Sequence, residues 1–231
     1  MANYRTARVD GLPPFTGGAI GLFSYDFVHQ FEDLPRTTLD DLAIADASFL
    51  FVDLVVAFDH LVNKAWMIVN PGAREQEMGF RKPEQDQWGR LYDEAADRIN
   101  AISGQLSAVS SGHLDQHRPG TGSVGIGLKP QLSRERFESM VRRCKEYITA
   151  GDIYQANLSQ RFSAPIGDHD PLRLYEVLRD INPSPFAAYA EFDDCTVVSS
   201  SPERLVRLSG NVADTRPIAG TRRRGKDFRE T

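Results

Sequence analysis

Two short segments carry the residue types best suited to chemistry: Ser199-Ser-Ser-Pro-Glu-Arg204 and Arg216-Pro-Ile-Ala-Gly-Thr-Arg222. Together they bring one carboxylate, an open Gly-Thr backbone and several guanidinium groups into a small stretch, a set that suits recognition of a small dicarboxylic acid. Glu203 follows a proline at the end of a predicted strand, where a side chain can be held against a cavity. As a general acid it would need burial or a nearby negative charge to keep its proton at neutral pH. The alternative is a turn glutamate paired with Arg204 or Arg207, and spacing alone favours that pairing. Gly220 lets an anion approach the main-chain amides without a Cβ in the way, and Thr221 adds a hydroxyl. Arg222 stands first in a basic run with Arg223, Arg224 and Lys226, and offers bidentate pairing to a carboxylate. A run of like charge is usually a solvated face, so one arginine is expected to point inward. The last residue, Thr231, falls almost on this group, and the site is expected to be incomplete within these residues.

The positioning elements follow from the rest of the chain. With 231 residues, 41% hydrophobic and 26% charged, the sequence is of globular type, large enough for one large or two small domains. The formal charge of −5 argues against a general nucleic-acid binder. Residues 216–231 carry six basic and two acidic side chains, leaving 21 basic against 30 acidic elsewhere, which reads as a local anion site in an acidic protein. Two cysteines, Cys144 and Cys195, share no metal-ligand or redox spacing and are expected to be buried thiols in a reducing compartment. No apolar run is long enough to span a bilayer, so the expectation is a cytoplasmic protein without a membrane partner.

Residues 15–25 mix small and aromatic residues, as in a strand that another backbone approaches closely. Their glycines lack the ending of a nucleotide-binding loop. Residues 49–58 and 65–70 are predicted to form an antiparallel pair, and the apolar spacing of Trp88, Leu91, Tyr92, Ala95, Ile99 and Ile102 predicts a helix. Residues 103–131 are rich in glycine and serine and read as a linker or loop, with His113 and His117 solvated inside it. Ser133 caps a helix reaching Ala150, ended by Gly151. Residues 152–162 alternate, with Gln155, Asn157, Ser159 and Arg161 on one face, a polar ladder that faces water or lines a cavity. A helix over 171–181 leads into a turn fixed by Pro183 and Pro185. Strands over 186–192, 195–200, 204–209 and 211–216 predict an antiparallel meander. The fold class is α+β, with antiparallel β-sheets packed as an orthogonal sandwich and flanking helices. The expected domains are 1–102, the linker 103–131, and 132–231.

These pieces, in this order, resemble the chorismate-utilising enzymes, aminodeoxychorismate synthase component I and anthranilate synthase component I. The resemblance rests on residues 15–26, 40–60, 151–162, 182–186, 199–204 and 215–225, which together are specific. It implies that Glu203 assists loss of the 4-hydroxyl of chorismate and that Gly220, Thr221 and Arg222 bind substrate. It also implies that Asn182, Pro183, Ser184, Pro185 and Phe186 correspond to a stretch lining a tryptophan pocket. A glutamine amidotransferase subunit would supply ammonia, and the complete enzyme would use Mg2+ held by residues outside this chain. Family members begin earlier and continue further, so the isolated chain is expected to be inactive. At one position the branches differ: aminodeoxychorismate synthases often carry a lysine nucleophile where this chain has Ala219, which points to anthranilate-type chemistry. Residues 151–162 and 199–205 look more like the aminodeoxychorismate branch, and the balance leans there. A rival is a non-catalytic module that binds tryptophan and has lost the chemistry.

Overall fold

The computed structural model describes residues 9–71, 87–111 and 127–218, apart from the side chains of 109–111. The chain divides into two compact units, residues 1–117 with 190–197 and residues 118–189 with 198–231. The fold class is α+β, as the sequence indicates, with every sheet two-stranded among the described residues.

In the first unit β1 (Gly18–Phe23) pairs antiparallel with β2 (Ala47–Val52), setting Gly21 opposite Phe49. A Cβ on Gly21 would collide with the Ser48 carbonyl oxygen and the Phe49 ring. The small residues of this strand therefore make room for an aromatic side chain, which is the close approach their composition implies. A 3₁₀ turn, Tyr25–Gln30, follows β1; Ser24 Oγ accepts the N–H of Phe27 at 3.1 Å and donates to Asp46 at 2.7 Å.

The expected single strand over 49–58 is two strands, β2 and β3 (Leu54–Asp59), and only β3 pairs with β4 (Lys64–Val69). Asp53 causes the break. Its carboxylate accepts two guanidinium bonds from Arg98, each 2.9 Å long, and its carbonyl accepts the N–H of Asn70 at 2.7 Å. Arg98 lies on helix α1 (Gln87–Ser111), which packs against β4. Asn70 Nδ2 also donates to Thr16 O at 2.6 Å, filling the space that a side chain at Gly17 would need. Leu91, on α1, is the one buried side chain among the described residues, 2% exposed. The helix runs past Ile102, where its apolar spacing stops, through Ser111. Serine and glycine each cost about 0.5–1 kcal/mol inside a helix, but extending an existing helix needs no new nucleus.

Residues 190–197 return to this unit as a turn closed by Phe192 N–H to Cys195 O at 2.8 Å. Asp194 accepts the N–H of Ala45 at 3.1 Å, and that bond is the main reason its carboxyl sits below the usual range. The Cys195 thiol is pushed up, first by burial and then by the Asp194 charge. Both cysteines are free and half-buried.

In the second unit β5 (Lys129–Pro130) pairs with β6 (Phe162–Ser163), and α2 (Arg134–Ala150) and α3 (Pro171–Ile181) are the helices. Ser133 Oγ accepts the Arg136 N–H and Gly151 ends α2 at φ 85°, both as the sequence predicts. Asp170 caps α3 through the N–H of Leu172 at 2.9 Å. The alternating segment 152–162 is not the strand its pattern suggests: only Phe162 and Ser163 are in a ladder. The available partner is short and ends in Pro130, and Gln160 substitutes a side-chain amide for the next rung. Its Oε1 takes the Leu132 N–H at 3.3 Å and its Nε2 donates to Leu132 O at 2.8 Å.

Four strands occur close to the expected positions: β7 (Phe186–Glu191), β8 (Thr196–Ser201), β9 (Arg204–Ser209) and β10 (Val212–Arg216). They form two separate pairs, β7 with β8 and β9 with β10, instead of a continuous meander. Pro202, which has no N–H to offer a ladder, stands between them. No helix of the described residues is long and apolar enough to cross a membrane.

The Asp53–Arg98 pair holds the strand break to the helix, with the two side chains 13% and 26% exposed. Truncation with Arg98→Ala leaves a partly buried carboxylate uncompensated, and we expect a loss of about 2 kcal/mol. The exposed control Arg142→Ala should change stability by less than about 0.5 kcal/mol. Urea titration followed by tryptophan fluorescence compares the two.

Candidate functional site

Glu203 lies in the connection between β8 and β9, with its side chain exposed and its carbonyl accepting Ser201 Oγ at 3.1 Å. The next residue, Arg204, organises its surroundings. Its guanidinium pairs with Asp214 across the β9–β10 hairpin and lies 5.7 Å from the centroid of the Phe186 ring. Its carbonyl accepts Thr215 Oγ1 at 3.3 Å. A bulge between Asp214 and Arg216 shifts the register here, so that Arg216 faces Arg204. Among the described residues, Arg204 is thus paired with Asp214 and not with Glu203.

One strand earlier, the Ser200 hydroxyl donates to the carbonyl of Asn182 at 2.6 Å and lies 3.0 Å from the Ser184 hydroxyl. Asn182 ends α3, its N–H bonded to Leu178 O at 2.8 Å, and the Ala187 N–H closes on Ser184 O at 3.2 Å. The turn therefore hangs between the end of α3 and the start of β7. Pro183 and Pro185 are exposed, while Ser184 and Phe186 are half-buried. The geometry brings the two stretches singled out in the sequence into contact. Ser200 ties the 182–186 turn to the strand that leads to Glu203, and Arg204 ties Phe186 to the strand that follows it.

Gly220, Thr221, Arg222 and Ala219 lie outside the described residues, as do His113, His117 and the arginines at 223 and 224. Among the described residues no group of three or more His, Cys, Asp or Glu is placed to hold a metal ion. Those residues therefore do not fit a magnesium site of their own. Asp40 and Asp194 instead accept backbone N–H bonds, from Ala43 at 2.9 Å and from Ala45 at 3.1 Å, which is turn chemistry.

Sequence reasoning overlooked two residues in this arrangement. Ser200 was present only as one of three consecutive serines, and alternation along β8 would have separated it from Ser199 and Ser201 as the one facing the proline turn. Asp214 carried no signal, because its partner is ten residues away across a hairpin whose register includes a bulge.

The Ser200 link is directly measurable. Ser200→Ala removes a hydrogen bond worth about 1 kcal/mol, so the Ala187 amide should exchange with solvent about fivefold faster while the α2 amides keep their rates. Equal rates at Ala187 in both proteins would mean that the serine does not hold the turn.

The family model described as chorismate binding enzyme matches residues 2–231. Anthranilate synthase component 1 of Thermus thermophilus is 40% identical over 96% of this chain and 43% of its own length. Aminodeoxychorismate synthase component 1 of Bacillus subtilis is 35% identical over 94% of this chain and 42% of its own. The crystal structure of anthranilate synthase component I from Streptococcus pneumoniae superposes with a TM-score of 0.68 at 26% identity, covering 91% of this chain and 44% of that one. The chain spans less than half the length of each of these relatives. It belongs to the chorismate-binding enzyme family.

Proposed function

We propose that this chain supplies part of an enzyme that aminates chorismate at ring carbon 2, the reaction named in anthranilate synthase component 1. The observation that carries this choice is Ala219, in Pro-Ile-Ala-Gly-Thr. Amination at carbon 4 through an enzyme-bound amine needs a lysine there, and a methyl group offers no nucleophile. Most of the relatives compared carry the name anthranilate synthase component 1, and one is an aminodeoxychorismate synthase component 1. That weighs against the lean toward the 4-amino branch that residues 151–162 and 199–205 suggest.

In this reading ammonia adds to carbon 2 while the 4-hydroxyl leaves as water, and the ring then aromatises to anthranilate by losing the carbon 2 proton and expelling the enolpyruvyl side chain from carbon 3 as pyruvate. Glu203 delivers the proton to that leaving oxygen. The Gly220 amide, the Thr221 hydroxyl and the Arg222 guanidinium hold the carboxylates and so orient the ring. A glutamine amidotransferase partner supplies the ammonia. Mg2+ would polarise the substrate carboxylate in the complete enzyme, and no described residue of this chain is assigned to it. A general acid works best where water is excluded, and among the described residues Glu203 is exposed, so the chemistry would need further cover over it. The turn of Asn182, Pro183, Ser184, Pro185 and Phe186 is the place for a bound tryptophan. Its links through Ser200 and Arg204 would carry the presence of that ligand to the Glu203 connection.

The test is a chimera in which this chain replaces the matching 43% of the Thermus relative. Supplied with chorismate and ammonium, it should release the fluorescent 2-amino product anthranilate. Glu203→Gln should lower kcat by about 100-fold or more. Formation of the 4-amino product would contradict the assignment from Ala219, and an undiminished kcat in Glu203→Gln would remove that residue from the chemistry.

A further inference from the structure

The bulge in the β9–β10 hairpin decides where Arg204 points. Regular alternation along β9 groups Arg204 with Val206 and Leu208, on the face away from Arg207 and from Asp214, which stands opposite Arg207. Between Asp214 and Arg216 the register shifts, so that Leu205 and Val206 together oppose Thr215 and Arg204 comes to face Arg216. The extra residue turns Arg204 onto the Asp214 face, and bulges beside functional sites commonly re-aim a side chain in this way. That face then carries three guanidinium groups, of Arg204, Arg207 and Arg216, against one carboxylate. Like charges directly opposite each other, as at Arg204 and Arg216, destabilise a ladder. Asp214 pairs with Arg204, the residue next to Glu203. Arg204 is 19% exposed and its Nε is buried with no hydrogen-bond partner among the described residues, so among them Asp214 is the one carboxylate that holds it.

We propose that Asp214 is a positioning residue for the amination reaction, holding the Arg204 guanidinium away from Glu203 so that Glu203 keeps the proton it delivers to the leaving 4-hydroxyl. This role rests on the functional reading above, to which it adds a residue. A guanidinium paired with Glu203 would favour the ionised carboxylate, which has no proton to give. The described charged groups on the elements beside the connection are Arg204 and Arg207 of β9 and Asp214 and Arg216 of β10, while β8 and the 182–186 turn carry none. Within that set three cations share one acid. Without the Asp214 carboxylate, Arg204 is crowded by Arg207 and Arg216, and the carboxylate left for it is the adjoining Glu203. The bulge and Asp214 together therefore give the arginine a partner on the hairpin and leave the glutamate unpaired by it.

The first measurement uses the chain itself. In a crystal structure of Asp214→Asn, a change that keeps the shape and removes the charge, the Arg204 guanidinium should form an ion pair with Glu203. In Asp214→Glu it should stay with the carboxylate at position 214. The second measurement is the pH profile of the chimera, whose kcat should fall on the alkaline side as Glu203 loses its proton. A guanidinium on Glu203 favours the ionised form, so Asp214→Asn should move that limb to lower pH by about one unit, which is about tenfold in kcat along the limb with KM changed by less than about twofold. The two profiles should meet at the acid end, whereas a merely structural role would lower kcat by one factor at every pH. Asp214→Glu, which restores an acid, and Asp214→Asn/Arg204→Met, which removes the guanidinium, should both return the limb to the parent position. An Arg204 that stays clear of Glu203 in Asp214→Asn, or a limb that does not move, would overturn the proposal. If the parent chimera makes no anthranilate, the catalytic reading falls, and the place of Arg204 in the Asp214→Asn structure still decides whether Asp214 restrains it.

Discussion

The arrangement around the candidate site depends on what Arg204 can do at once. A planar guanidinium can pair in its plane with a carboxylate and rest its face on an aromatic ring, and here it reaches Asp214 and Phe186 together. Three chain segments meet as a result: the proline turn, the start of β9 and the far strand of its hairpin. Lysine would keep the charge and lose the geometry, since a point charge cannot serve two directions in the same way. The Ser200 hydroxyl makes the second join from the preceding strand, so the Glu203 connection is bracketed on both sides.

What these joins do not supply is enclosure. The described residues form two-stranded ribbons and three helices, with Leu91 alone buried among them, and Leu91 belongs to the first unit. Hydrophobic stabilisation scales with apolar area removed from water, about 25 cal/mol per Å². Among the described residues, exposed apolar side chains such as Leu205 and Leu208 leave much of that stabilisation unused. The same deficit limits chemistry: proton transfer and carboxylate recognition gain strength from a water-poor site. In the proposed reading, a water-poor site would therefore serve stability and chemistry together.

Much of this was legible in the sequence because local rules decided it. Ser133 and Gly151 marked the ends of α2, Pro171 opened α3, and the spacing of β-branched residues located the four strands from 186 onward. The failures share a cause, which is that partners distant in sequence decided the outcome. Asp53 looked like an interruption in one strand, yet its bonds to Arg98 and Asn70 make it the boundary between two. The alternation at 152–162 was real, but a strand exists only where a neighbour offers a ladder, and Gln160 had already taken that place with its side chain. Pro202 was visible as a breaker, while the separation of β8 from β9 depended on which edges the other strands chose. Near the candidate site, the position of Glu203 after Pro202 and the 182–186 turn were legible from residue type and order; the contacts of Ser200 and Arg204 with that turn had no local signature.

The most direct measurement is calorimetric titration of chorismate into this chain alone and into the chimera that completes the fold. Because Glu203 is exposed in the isolated chain, the account predicts saturable heat from the chimera and none from the chain by itself. Equally tight binding by both would contradict it, since the isolated chain would then hold a whole recognition site.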